Sequence, residues 1–150
     1  ILIIVALAGI GNVYYYGNYN KNTNKSIRIS ELMANIAEAG KAGQPVVAAS
    51  PWVYYEASFY ISNTHPVYYP ASTINEDYGS LAMLKEDDTG KIVDLAAFAK
   101  QHRYVWYVNV TENEIEPPVA SWKLVKKVDA YDSINRSVEY RAGLYDTSAE

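Results

Sequence analysis

The sequence predicts a three-layer α/β domain: a mainly parallel central sheet, helices on both of its faces, and an antiparallel hairpin at the C-terminal end. Three observations lead there. Short runs of β-branched and aromatic residues alternate with helical periodicity from Ile29 to Val110, which is the pattern of strand-helix-strand units. Two of those runs, Pro45 to Ser50 and Tyr104 to Val110, are largely apolar along their length, as strands covered on both faces must be. After Pro117 and Pro118 the alternation stops, and two strand patterns, Trp122 to Val128 and Val138 to Tyr145, follow one another.

The N-terminal segment stands apart from that domain. Ile1 to Ile10 are all apolar or glycine, and no charge occurs before Lys21. A membrane-spanning helix needs about 20 apolar residues, so the run is too short to cross by itself. It reads as the end of a transmembrane helix, residues 1–16, with Tyr14, Tyr15, Tyr16 and Tyr19 as an interfacial belt. A secretory signal would need a basic start and a small-residue cleavage site, neither of which is visible. A dinucleotide-binding turn would need a third glycine where Tyr14 stands after Gly9 and Gly11, and a helix start where an asparagine-rich stretch follows. Residues 17–25 are polar and contain Gly17, which makes them a linker. The folded domain is then 26–150.

Within it, Ile29, Leu32, Met33, Ile36 and Ala37 recur at helical spacing over Ile27 to Glu38, and Gly40 with Gly43 ends the helix. The strand Pro45 to Ser50 follows. Trp52 to Ile61 is read as a helix whose spacing groups Val53, Ala57, Tyr60 and Ile61. His65 and Pro66 turn the chain into a strand, Val67 to Tyr69, closed by Pro70. Ser72 to Gly79 reads as a loop, and Leu81 to Leu84 fits a strand or a helical turn equally. Asp94 is placed to cap a helix from Leu95 to about Gln101, with Lys100, His102 and Arg103 gathered where a helix dipole favours cations. Tyr104 to Val110 is the strongest strand pattern in the chain.

Composition excludes several functions. The formal charge of -4 provides no positive field for phosphates, so nucleic acid is not an expected partner. With no cysteine there is no disulfide framework, thiolate zinc site or cysteine nucleophile. Neither a G-x-S-x-G elbow nor a phosphate-binding G-x-x-x-x-G-K-[ST] loop occurs. Carboxylates cluster at Glu76 with Asp77 and at Glu86, Asp87 and Asp88, but both clusters sit in polar loops and lack calcium-loop spacing, so no metal site, catalytic residue or cofactor is assigned. The chain has 15 tyrosines and 2 phenylalanines, which suits surfaces that are half apolar and half wet. Around Trp52, Tyr54, Tyr55, Phe59 and Tyr60 the aromatics are dense. Trp52, Tyr55, His65, Tyr68 and Tyr69 are therefore the candidate substrate-binding residues, because aromatic faces stack on sugar rings and phenols bond their hydroxyls. The same residues also suit a core helix packed on a sheet with its hydroxyls reaching water or headgroups.

The order of parts resembles one family. An apolar helix end, a tyrosine-rich linker, the helix Ile27 to Glu38, the strand Pro45 to Ser50 with Pro51 and an aromatic helix, the strand Val67 to Tyr69, the passage Phe98 to Val110 and the closing strands resemble the C-terminal extracytoplasmic domain of polytopic membrane glycosyltransferases. These are similar to dolichyl-phosphate-mannose protein mannosyltransferases and bacterial aminoarabinose transferases. The resemblance covers nearly the whole chain and is an arrangement rather than a motif. It implies a domain on the extracytoplasmic side of the cell membrane, partnered by the membrane and further transmembrane helices. Such a domain would flank the cavity in which sugar passes from a polyprenyl-phosphate lipid to an acceptor. The family's catalytic acids lie on an early loop that this chain does not contain, so none is carried over. Lys21, Lys25 and Arg28 lean the other way, toward a cytoplasmic side. The rival expectation is a membrane-tethered binding or sensor domain with no catalytic role.

Overall fold

The computed structural model describes residues 2–15, 29–73, 88–111, 113–131 and 138–148. Along the chain these form α1 (Leu2–Tyr15), α2 (Ile29–Ala39), β1 (Val46–Ala48), α3 (Pro51–Ile61), β2 (Val67–Pro70), a 3-10 turn (Ala71–Thr73), β3 (Lys91–Ile92), α4 (Leu95–Gln101), β4 (Tyr104–Val110), β5 (Lys123–Tyr131) and β6 (Val138–Asp146). The linker 17–25, the region Leu81 to Leu84 and the acidic residues 76, 77, 86 and 87 lie outside the described residues.

The strands make one six-stranded sheet in the order β3-β2-β1-β4-β6-β5. From β3 through β4 the neighbours are parallel, whereas β6 runs antiparallel to both β4 and β5. The mixed sheet and terminal hairpin are those predicted. β1 and β4 lie side by side at the centre, with Val47 opposite Tyr107.

Successive residues of a strand face opposite ways, and each face has its own core. Val46, Ala48, Trp106, Val108, Ala142 and Leu144 meet Leu32, Met33 and Ile36 of α2 and Val53, Ala57 and Ile61 of α3. Val47, Val105 and Tyr145 face the other way, toward Leu95, Phe98 and Ala99 of α4 and the nearby Trp122. Two expected inward residues point outward: Ala37 is exposed, and Tyr60 is 48% exposed. On α3 the buried residues are Pro51, Val53, Ala57 and Ile61, with Tyr54 packed partly against them. That helix is apolar on nearly every side, so spacing by itself could not separate its faces.

Local chemistry explains the helix ends. Asp94 accepts hydrogen bonds from the backbone N–H groups of Ala96 and Ala97 at 2.8 and 3.0 Å, satisfying two of the donors that a helix start leaves open. α3 begins with Pro51 after an extended Ser50, where a missing N–H costs nothing. Between α2 and β1 the chain reverses through Gly43, whose φ of +83° is available to glycine at little strain. Trp106 is fully buried, and its indole N–H donates to Gln44 Oε1 at 3.3 Å.

α1 differs from the rest. Ile3, Ile4, Val5, Leu7 and Ile10 are between 55% and 75% exposed. At 14 residues the helix is about 21 Å long. No helix among the described residues is long and apolar enough to cross a membrane.

Candidate functional site

The strand order sets where a ligand would gather. From β1 the chain steps outward to β2 and β3, then returns through α4 to β4 on the other side of β1. In open α/β sheets such a reversal leaves a crevice at the carboxyl ends of the two central strands. Here those ends lead into Ser50 and Pro51 at the start of α3, and into Thr111 and the segment that follows it.

Two of the five candidate residues sit at that edge. Trp52 and Tyr55, on the first turns of α3, are 64% and 44% exposed. Beside them Glu56 accepts a hydrogen bond from the Tyr140 hydroxyl at 2.7 Å, which ties α3 to β6. Tyr55 meets Tyr54 edge-on at 5.4 Å between ring centroids, and Tyr54 meets Tyr69 in the same way at 4.7 Å.

Tyr69 is nevertheless a core residue with no exposure. Burial, and then the neighbouring Asp88 carboxylate, push its phenol up to about 12. Tyr54 is raised for the same two reasons, burial first. Both phenols therefore stay protonated at neutral pH. Tyr68 points to the opposite face, where its half-buried ring meets Phe98 edge-on at 5.0 Å.

His65 lies at the other edge of the sheet. It precedes β2, is 1% exposed, and its Nδ1 is 3.0 Å from Thr64 Oγ1. Burial lowers its pKa, so the ring is neutral at pH 7. Its connection leads into β2 and does not follow a strand, so it is not at the carboxyl ends where Trp52 and Tyr55 lie. The five candidates thus fall into three places: Trp52 and Tyr55 on the carboxyl-edge surface with Tyr69 behind them, Tyr68 under α4, and His65 at the amino edge.

A polar cavity at the carboxyl end of β4 escaped the sequence reading. Tyr107, Asn109, Thr111, Asn113, Glu114 and Glu116 contribute to a space of about 410 Å³. Its outer wall is a returning segment pinned twice. Glu114 reaches Lys127 Nζ at 2.6 Å and Arg141 Nη1 at 3.4 Å, and the Tyr145 hydroxyl donates to the Ile115 carbonyl at 3.1 Å. Lys127, foremost, and Arg141 hold the Glu114 carboxyl below its ordinary range. The available signal was the run of asparagine, threonine and glutamate directly after the strongest strand. Among the described residues no group of three histidines or carboxylates could hold a metal ion.

No protein-family model matches this chain, and no curated protein matches it.

Proposed function

We propose that this chain is the extracytoplasmic accessory domain of a membrane glycosyltransferase that takes its sugar from a polyprenyl-phosphate lipid. In this reading the domain flanks the transfer cavity, contributes to acceptor selection, and leaves the chemistry to residues elsewhere in the protein. The observation that carries it is α1: a helix whose residues from Leu2 to Gly11 are all apolar or glycine, with Ile3 75% and Leu7 62% exposed, next in sequence to an α/β domain with two well-packed cores. Water penalises such a surface by about 1.5–3 kcal/mol per large side chain, whereas lipid or neighbouring membrane helices would accept it. A reaction whose donor is lipid-bound takes place at the membrane surface, so a domain held there can present Trp52 and Tyr55 to an acceptor.

The test uses the full-length protein. Trp52→Ala and Tyr55→Ala should each weaken acceptor use about fivefold, the equivalent of about 1 kcal/mol per stacked ring. Binding of the lipid-linked donor and the folded-state circular dichroism should not change. Unaltered acceptor kinetics in both variants would leave the rival reading, a tethered domain with no part in transfer.

A further inference from the structure

We infer that the outer face of α3 lies in the headgroup region of the bilayer, so that the domain rests on the membrane through Trp52, Tyr55, Phe59 and Tyr60. The inference deepens the proposed function: it rests on its reading of α1 as lipid-embedded, and it puts the acceptor that meets Trp52 and Tyr55 in the same headgroup layer.

The four residues follow one another at spacings of three, four and one, which on a helix spreads them over a broad outward stripe about 12 Å long. They are 64%, 44%, 82% and 48% exposed. Phe59 and Tyr60 also meet edge-on at 5.0 Å, so the far end of the stripe is one continuous aromatic surface. Glu56, the carboxylate among them, is also exposed, and it accepts a hydrogen bond from the Tyr140 hydroxyl at 2.7 Å. The remaining polar atoms of the stripe are an indole N–H and two phenol hydroxyls. An apolar body with one polar tip is the chemistry that concentrates at membrane-water interfaces.

Chain length narrows the occupant further. The residues between α1 and α2, 16–28, reach at most about 50 Å when fully extended. If α1 is in lipid, α3 can never be far from the same surface. A soluble partner would have to compete with a bilayer held permanently within that reach. Because neither face of the interaction needs charge, the contact should form on uncharged lipid.

The chain carries its own reporter. Of its three tryptophans, Trp106 and Trp122 are 0% and 4% exposed, and only Trp52 faces outward. The whole chain is mixed with phosphatidylcholine vesicles, with and without brominated acyl chains, then sedimented, and its tryptophan emission is read. The expected result is co-sedimentation, a shift of emission to shorter wavelength, and quenching by brominated lipid. Trp52→Phe should abolish both optical changes and leave sedimentation intact. Phe59→Glu with Tyr60→Glu, at exposed positions that spare the fold, should also remove the shift and the quenching, again without loss of sedimentation. If the chain sediments but Trp52 stays as accessible to acrylamide as in lipid-free protein, the docking is overturned and the α1 anchor stands. Failure to sediment overturns both. A Trp52 shift produced by soluble saccharide and not by lipid overturns the docking in favour of a sugar-stacking surface.

Discussion

Gly143→Ala tests how tightly the antiparallel half of the sheet is packed. Gly143 is in β6, between Tyr107 of β4 and Lys127 of β5. A methyl group there would stand 2.6 Å from Tyr145 Cε2 and 2.8 Å from Leu124 Cδ1. The two neighbours respond differently. Leu124 is 49% exposed and can swing into solvent, but Tyr145 is fully buried and its hydroxyl is bonded to the Ile115 carbonyl. Overpacking of a filled site costs about 1–3 kcal/mol, and the stiffer unfolded chain of the alanine variant offsets about 0.4–1 kcal/mol of that. The net loss centres on about 1.3 kcal/mol, which for a chain of this size lowers Tm by about 3–5 °C. Urea and thermal unfolding, followed by near-ultraviolet circular dichroism, measure it. Adding Leu124→Ala should not restore stability. A Gly143→Ala protein as stable as the parent, or more stable, would refute the claim that Tyr145 is immovable.

Three other outcomes follow from the structure. Asp94→Ala removes the cap of α4 and should cost about 1 kcal/mol in urea unfolding, with the signal change concentrated in the aromatic contacts of Phe98. Burial lowers the folded-state pKa of His65, so below the ordinary histidine value of about 6.5 the unfolded chain binds more protons than the folded one. Stability should therefore be complete above that pH and fall as pH drops below it; His65→Phe should lack this component of the slope. A chain beginning at Asn20 should lose only the helix signal of α1 and keep its sheet signal and its Tm, because the apolar side chains of α1 from Ile3 to Ile10 are exposed and not part of either core. A much earlier melt would show that the segment belongs to the domain.

Much of the fold was legible because its signals are local. Asp94 marks the start of α4, and the dense β-branched and aromatic run Tyr104 to Val110 gives β4 its bounds to the residue. The two-residue β3 carries too few residues for any period to show. β5 starts and ends later than expected, at Lys123–Tyr131, and its register shifts between Leu124 and Lys126; that irregularity leaves Leu124 and Val125 both exposed, which strict alternation does not anticipate. The candidate site was less legible. Tyr68 and Tyr69 are neighbours in sequence but occupy opposite faces of the sheet. The edge on which His65 falls depends on strand order, and the cavity beyond β4 depends on Glu114 reaching across to Lys127 and Arg141. Neither is written in the pattern of any single segment.

The central claim, a domain held on the outer surface of a membrane, is tested most directly by its sidedness. The chain has no cysteine, so Lys100→Cys, at an exposed position on α4, introduces a single thiol into it. Intact cells expressing the full-length protein are treated with a membrane-impermeant maleimide, and the unsubstituted protein serves as the blank. The account predicts labelling of the Lys100→Cys protein in intact cells equal to that after permeabilisation. Labelling that appears only after permeabilisation would put the domain on the cytoplasmic side, where Lys21, Lys25 and Arg28 lean, and would contradict the account.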